Sequence, residues 1–281
     1  MASKDIHKYT IEFTNNFWLN LVEVAGHGNV KQFIIQALKV ALEAHTIKSL
    51  ILCGGRGTSF RPMSVATPAV MLPIGYKPIL EYSIDLLQRH ALREIFLSVG
   101  YLKEHIQQQF SEKDIPGVEI GFISEEIPLD TAGAVLNARK QFKSTFLVMN
   151  GDLITDINLG LLLEYHRRKI KEGGIATMFI LENTSGQVEF EEKSGKISRF
   201  VSGGKKGLQY TNAGIYIFEP EIFTYIEKEV SSLEKDVFPT LAKEGLLYGY
   251  IPSPPVYWNH INSPEKYKQG WSDFLGGKLD F

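Results

Sequence analysis

Between Lys48 and Leu181, short apolar runs alternate with amphipathic segments, and this alternation constrains the fold more than any other feature. "KSLILC", "EIFLSVG", "VEIGFIS", "TFLVMNGD" and "GIATMFIL" read as buried strands. "PILEYSIDLLQRHAL", "LKEHIQQQF", "AGAVLNARKQF" and "LGLLLEYHRRKIK" carry apolar residues at helical spacing. Strands that alternate with helices predict an α/β fold: a mostly parallel sheet with helices on both faces. Ligands of such sheets bind beyond the carboxyl ends of the strands. The glycine-rich segment after the first strand and "NGD" after a later one both fall there.

From Val188 the alternation changes. "VEFEE" and "KISRFVS" read as a hairpin closed at Ser194–Gly195, and "LQYTNAGIYIF" as a long strand. The helices "PEIFTYIEKEV" and "LEKDVFPTLAKEG" follow, then short strands and a closing helix from Pro264. This half is expected to cover the active face of the sheet. With 281 residues, 44% of them hydrophobic, the chain is long enough for one large domain and a small appendage. A net charge of −2 gives no global sign of a nucleic-acid partner. The single cysteine, Cys53, rules out an internal disulfide and reads as a small buried hydrophobe. No apolar run reaches the length of a membrane span, and the N-terminus lacks a secretion pattern, so a cytoplasmic location is expected.

Residues 1–47 form a different module, and 48–281 the main domain. "HKYTIEFT" alternates Tyr9, Ile11 and Phe13 with Lys8, Thr10 and Glu12, the pattern of a half-buried strand. "NNFWLNLVEVAG" starts on an Asn cap and places Phe17, Leu21, Val24 and Ala25 on one helical face. "NVKQFIIQALKVALEAH" has a second Asn cap and a stripe through Val30, Phe33, Ile34, Ala37, Leu38 and Leu42. A strand and two helices of this size cannot bury their own apolar faces. Ile6 to His45 resembles the ribbon-helix-helix family, whose chains pair strands and interlock helices into a dimer. That resemblance implies a homodimer through 1–47. It also implies DNA contacts from Lys8, Thr10 and Glu12, but Glu12 would repel phosphates, so dimerisation is the expectation. The alternative is a helical extension that packs on its own main domain.

"CGGRGTSFRPMSVATPAVMLP", Cys53 to Pro73, is the segment closest to chemistry. Gly54, Gly55 and Gly57 let backbone N–H groups approach phosphates with no side chain in the way. From Leu50 to about Tyr267 the chain resembles the sugar-phosphate nucleotidylyltransferases. "GGRGTSFRP", "PLDTAGA", "NGDLITDI", "TNAGIYIF" and "YWNHINSPEKY" each match a family segment. The resemblance implies the Rossmann-like nucleotide-diphospho-sugar transferase fold. It implies a nucleotide pocket at Cys53, Gly54, Gly55, Gly57, Thr58, Thr131, Ala132 and Gly133. It places Asn212, Ala213 and Gly214 near the sugar, and it makes Asp152 a ligand of Mg²⁺. The family reaction joins a sugar-1-phosphate oxygen to the α-phosphorus of a nucleoside triphosphate and expels pyrophosphate. Cations and Mg²⁺ carry most of that catalysis.

The family's charged residues are largely replaced. The loop Arg is Ser59 and the following Lys is Ala69. The Glu-Lys pair falls at Ser202 and Gly203, the second metal Asp at His260, and the glycine of P-L-G-T at Asp130. Arg56, Arg61 and Lys77 are the candidate replacements near the loop, with Lys205 and Lys206 further along. Arg56 and Arg61 also fit as solvated charges, and His260 fits better as a structural histidine than as a metal ligand. Two functions are therefore expected in competition. One is an impaired family member that binds a nucleotide, sugar nucleotide or sugar phosphate and acts as a sensor or regulatory partner. The other is a working enzyme with relocated cations. A scaffold with a dead pocket is a third reading.

Overall fold

The computed structural model describes residues 12, 14–26, 29–35, 46–183 and 186–280. The chain divides into two compact units, 1–42 and 43–281.

In the first unit the expected strand "HKYTIEFT" lies outside the described residues, apart from Glu12 and Thr14. Helix α1 spans Asn15–Ala25. Its cap is Thr14 rather than the expected Asn: Thr14 is extended, and its Oγ1 accepts from the Phe17 N–H at 3.4 Å. Gly26, at φ 75°, ends the helix by donating to the Val22 carbonyl. The inward side is Leu21, Val22 and Ala25, while Phe17 and Val24 of the expected face are exposed. Residues 30–35 are helical (α2), with Val30 buried. The rest of the expected second helix, with Ala37, Leu38 and Leu42, lies outside the described residues.

The second unit is built on a nine-stranded sheet. Its strands are β1 (Lys48–Leu52), β4 (Glu94–Val99), β5 (Glu119–Ser124), β6 (Phe146–Asn150), β8 (Ala176–Glu182), β9 (Val188–Glu191), β10 (Lys196–Phe200), β11 (Tyr210–Phe218) and β12 (Leu247–Tyr250). The short strands β2 (Pro73–Ile74), β3 (Lys77–Pro78), β7 (Leu153–Thr155) and β13 (Trp258–His260) form two separate ribbons, β2–β3 and β13–β7. The order across the large sheet is β5-β4-β1-β6-β11-β8-β12-β10-β9. Strands β5, β4, β1 and β6 are mutually parallel, and so are β8 and β12. Only β11 and β10 run against the other strands. The second half of the chain therefore also extends the sheet, which the sequence expectation of a covering half left out, while its α7 packs on one face of it. Strand β11 inserts antiparallel between β6 and β8 and carries the sheet onward.

Strict alternation along the central strands separates two cores. Ile51, Leu147, Met149, Ile215 and Ile217 point to one side, where α3 (Ile79–Arg89), α4 (Lys103–Glu112) and α6 (Leu159–Ile170) contribute Ile84, Ile106 and Leu162. Leu50, Phe146, Val148, Tyr216 and Phe218 point to the other, met by Val135 of α5 (Asp130–Asn137) and Leu241 of α7 (Phe238–Lys243). Burial on both faces is why these strands read as continuous apolar runs. A third cluster, with Phe60, Ile74, Ile154 and Ile261, packs the segment after the glycines against the ribbons.

Three expected helices differ. Helix α5 stops at Asn137, well short of Phe142. "PEIFTYIEKEV" closes only a 3-10 segment, Pro220–Tyr225. "LEKDVFPTLAKEG" begins with a π-turn at Leu233–Val237 before α7. Ser232 caps this segment, its Oγ accepting from Lys235 N–H, and Asp236 accepts from Ser232 N–H. Among the described residues, no helix is long and apolar enough to cross a membrane.

The closing helix α8 (Pro264–Leu275) is tied down by one carboxylate. Buried Asp273 accepts from Tyr257 Oη, Gln269 Nε2 and Lys278 Nζ, each at 2.9 Å. Burial pushes its carboxyl upward, but the bonds from Lys278, Tyr257 and Gln269 outweigh burial and hold it below its usual value. A lowered folded value contributes stability above the unfolded pKa that is lost as pH falls through the folded one. In urea titrations Asp273→Asn is therefore less stable at neutral pH. The gap to the unsubstituted protein should narrow once pH drops below about 4.

Candidate functional site

A cavity of about 580 Å³ opens at the carboxyl ends of β1 and β6. Strand β1 passes without interruption into its wall. Cys53 N–H donates to Ser98 O at 2.8 Å, and Gly151 N–H donates to Leu52 O at 3.0 Å. The chain then leaves the sheet. From Gly54 to Ser59, no backbone N–H finds an acceptor among the described residues. Gly57 takes the left-handed conformation at φ 56°, and Thr58–Phe60 forms a 3-10 turn. A run of unanswered amides turned by a left-handed residue is an anion cradle.

Gly54, Gly55, Gly57 and Cys53 line the cavity, as do Arg56 and Thr131. Thr58 is exposed and lies off its lining. Gly54 is glycine for a steric reason: a Cβ there would sit 2.5 Å from Glu125 Oε1. Cys53 is buried, and burial pushes its thiol well up, with Asp152 and Glu125 adding to the rise. It serves as wall, not as nucleophile.

The "PLDTAGA" segment has a mixed role. Thr131 Oγ1 donates to Glu234 Oε2 and accepts from Leu233 N–H, each at 2.8 Å. The N–H groups of Ala132 and Gly133 donate to Ser231 O. A Cβ on Gly133 would meet Glu229 O at 2.0 Å, so this glycine lets α5 dock on the neighbouring loop. Ala132 and Gly133 do not line the cavity. Neither do Asn212, Ala213 and Gly214, which build a bulge in β11. Asn212 Nδ2 donates to Tyr216 Oη at 2.7 Å, Gly214 N–H donates to Asn212 Oδ1, and Trp258 Nε1 donates to Ala213 O.

The replacements each make a structural tie. Ser59 Oγ donates to Asn262 O at 2.8 Å, fastening the loop to the chain after β13. Ala69 packs where a Cβ on Gly57 would touch it. Lys77 is committed elsewhere: it pairs with Asp85 and lies 4.0 Å over the Tyr82 ring. Arg61, Lys205 and Lys206 are exposed and off the lining. Among the described residues Arg56 is the one lysine or arginine on the cavity wall, which also carries Glu125, Asp130 and Asp152.

Glu125, Asn150 and Asn262 also line the cavity, and the motif reading did not assign them roles. Glu125 is buried; its Oε1 accepts from Ser98 Oγ at 2.9 Å and its Oε2 from Leu129 N–H at 3.3 Å. Its position at the carboxyl end of a predicted strand was the signal that could have found it.

The matching profile takes in the cavity and the elements around it: the nucleotidyl transferase profile fits residues 48–274. This chain belongs to the nucleotidyl transferase family. It is similar to the catalytic subunit beta of mannose-1-phosphate guanylyltransferase from Danio rerio, 32% identical over 235 residues, which are 82% of this chain and 65% of that protein. The mannose-1-phosphate guanylyltransferase of Mycobacterium tuberculosis is 28% identical over 242 residues, covering 84% of this chain and 67% of its own. Among solved structures, HddC from Yersinia pseudotuberculosis complexed with GMP-PN superposes at a TM-score of 0.69 and 25% identity, covering 81% of this chain and 99% of that one. The chain thus spans just under two thirds, 65%, of the length of curated relatives such as the Danio rerio subunit. The fold is the nucleotide-diphospho-sugar transferase fold expected from the sequence.

Nucleotidyl transferases of this family typically use Mg²⁺, and Asp152 is the residue through which the resemblance would hold it. The donors here do not fit. Asp152 Oδ1 pairs with His260 Nε2 at 3.1 Å. No group of three or more His, Cys, Asp or Glu side chains that could hold a metal exists among the described residues. Burial of the His260 ring opposes its charge, but the adjacent Asp152 outweighs burial and raises its pKa above the ordinary value.

Asp130 sits at φ 59°, a left-handed position, with its carboxylate accepting from Thr131 N–H. That backbone costs a non-glycine residue on the order of 1 kcal/mol, and the carboxylate faces any anion in the cavity. Asp130→Gly should melt at the same or a higher temperature and bind GDP or GTP several-fold more tightly. Calorimetric titration checks the second part; weaker binding at an unchanged melt contradicts it.

Proposed function

We propose that this nucleotidyl transferase binds a nucleotide, sugar nucleotide or sugar phosphate in the cavity beside Gly54–Gly57, with impaired turnover, and acts in the cytoplasm as a sensor or regulatory partner. The observation that carries the reading is the charge of the wall. Among the described residues Arg56 is the one lysine or arginine lining it, beside Glu125, Asp130 and Asp152. The family reaction brings two phosphate anions together and builds charge on the transferring group. Removing one positioned electrostatic group typically costs on the order of 10²–10³ in rate. Binding needs less, and the open amides of residues 54–59 supply it. The relatives named as guanylyltransferases make guanine the first base to try and mannose-1-phosphate the first sugar phosphate.

The competing reading, a working enzyme that makes an NDP-sugar, is favoured by one observation: Arg56 does reach the cavity wall. Pyrophosphate release from GTP and the other nucleoside triphosphates, with mannose- or glucose-1-phosphate and Mg²⁺, separates the two. Turnover far below about one per second is expected, together with a nucleotide-dependent rise in melting temperature. Turnover at or above that rate contradicts impairment. No thermal rise with any nucleotide or sugar phosphate would instead point to a scaffold.

The first unit is proposed to hold two copies of the chain together. Its α1 exposes Leu19 and Val24, at 62% and 72%, on a helix whose inward side is already Val22. Multi-angle light scattering of the full chain should give the mass of a dimer. The double substitution Leu19→Glu, Val24→Glu should give a monomer with an unchanged melt of the main domain. A monomeric unsubstituted chain contradicts the proposal, and DNA contacts remain a secondary reading of the same module.

A further inference from the structure

The pair Asp152–His260 is fixed by backbone, not by two loose side chains. His260 lies on β13, in register with Leu153 of β7, and the next N–H, of Ile261, donates to Asp152 O at 2.8 Å. Strand pairing therefore sets the imidazole beside the carboxylate. The far side of the ring is held as well: His260 Nδ1 lies 3.3 Å from Asn262 Nδ2, and the carbonyl of Asn262 anchors Ser59 of the glycine-rich loop. The imidazole thus joins the carboxylate end of the cavity to the loop end. A divalent cation that used Asp152 Oδ1 would have to displace a nitrogen held in this way, and one on the other oxygen would sit beside a raised-pKa imidazole instead of a second carboxylate. It would then find a single protein carboxylate and no further grouped ligand among the described residues. Mg²⁺ sheds water reluctantly and is usually held by one or two carboxylates together with substrate phosphates, and here the one carboxylate is already paired through Oδ1 with an imidazole.

We infer that the His260 imidazole stands where a divalent cation would answer Asp152, so that the site takes a sugar nucleotide without metal in preference to a metal-bound nucleoside triphosphate. The inference rests on the proposed binding role of the same cavity and adds the ligand class and its metal independence. The chemistry of the ligands makes the choice. Both phosphates of a sugar nucleotide are esterified on two sides, and each carries a single charge. A triphosphate adds a terminal dianion, which needs a cation of its own. The wall offers Arg56, the amides of residues 54–59 and three carboxylates. The wall holds more negative than positive charge, so it tolerates the two charges of a pyrophosphate diester, met by Arg56 and the amides, better than a terminal dianion, for which no further lysine or arginine lines the cavity among the described residues.

The test is calorimetric titration of the full chain with GDP-mannose, UDP-glucose, dTDP-glucose and GTP, each in EDTA and in MgCl₂. At least one sugar nucleotide should bind with the same affinity in both buffers, within about twofold, and more tightly than GTP by about tenfold or more. A gain of about tenfold from Mg²⁺ for the sugar nucleotide overturns the inference. So does Mg·GTP binding more tightly than every sugar nucleotide, and in both cases the binding role itself survives. Absence of heat with every ligand in both buffers removes the binding role and this inference with it. A direct metal readout adds a second arm. Free Mn²⁺, followed by its paramagnetic resonance signal, should stay free beside the loaded protein. It should be captured by His260→Asp, which sets a second carboxylate next to Asp152. In case that variant does not fold, His260→Asn serves. It should bind the sugar nucleotide about tenfold more weakly in EDTA and recover in Mg²⁺. Capture of Mn²⁺ by the unsubstituted protein, or indifference of a folded His260 variant to metal, overturns the inference.

Discussion

Burial of β1 on both faces is the constraint on which the site depends. Leu50 and Ile51 are fully buried and face opposite cores, so the strand cannot slide or rotate without exposing one of them. Its register with β4 and β6 then fixes where residue 53 leaves the sheet. The amides of residues 54–59 emerge at one defined point, beside the end of β6 that delivers Asn150 and Asp152. The glycines make the turn feasible, but the strand decides where it happens.

Around that fixed point, side chains of opposite tendency share a small volume. Glu125 lies against Gly54 and is held by Ser98 and Leu129, so it is a permanent acceptor on the wall. Asp152 is answered by His260. Among the described residues Asp130 is answered by its neighbour's amide alone. Positive charge comes from one flexible arginine and from backbone dipoles. Dipoles on a folded loop hold a ground-state anion well, because they need no reorganisation. They are poorly suited to following charge that builds elsewhere during transfer, where a long cationic side chain placed at the reacting phosphate does most.

The sheet was legible in the sequence, down to individual strands, because central strands buried on both faces are continuous apolar runs. "KSLILC", "EIFLSVG" and "GIATMFIL" each became a strand, at Lys48–Leu52, Glu94–Val99 and Ala176–Glu182. The role of the second half was less legible. Antiparallel insertion of β11 depends on partners far away in the chain, and local periodicity carries no information about them. The segments Pro220–Tyr225 and Leu233–Val237 were read as parts of regular helices, yet the first closes only a 3-10 segment and the second a π-turn. In the site, Gly54, Gly55 and Gly57 lie on the cavity lining. Gly133 and Gly214 lie off it, and each admits another part of the fold, a carbonyl of Glu229 and the side-chain amide of Asn150. Glu125 escaped notice because a lone glutamate at a strand end has no spacing signature.

The replaced residues share one consequence that composition alone does not convey. Ser59 bonds Asn262, Ala69 fills the space against Gly57, and His260 clasps Asp152. Each puts a fixed contact at a position where the family resemblance places a charge that must meet a ligand. Natural active sites commonly hold like charges and open coordination at some cost to stability, and relieving that cost tends to stabilise the fold at the expense of turnover. The three contacts here act in that direction together, and they converge on one junction between the glycine-rich loop, β7 and the chain after β13. A junction locked in this way keeps the cavity's shape while it is empty. A cavity whose shape is set before a ligand arrives binds with little ordering cost.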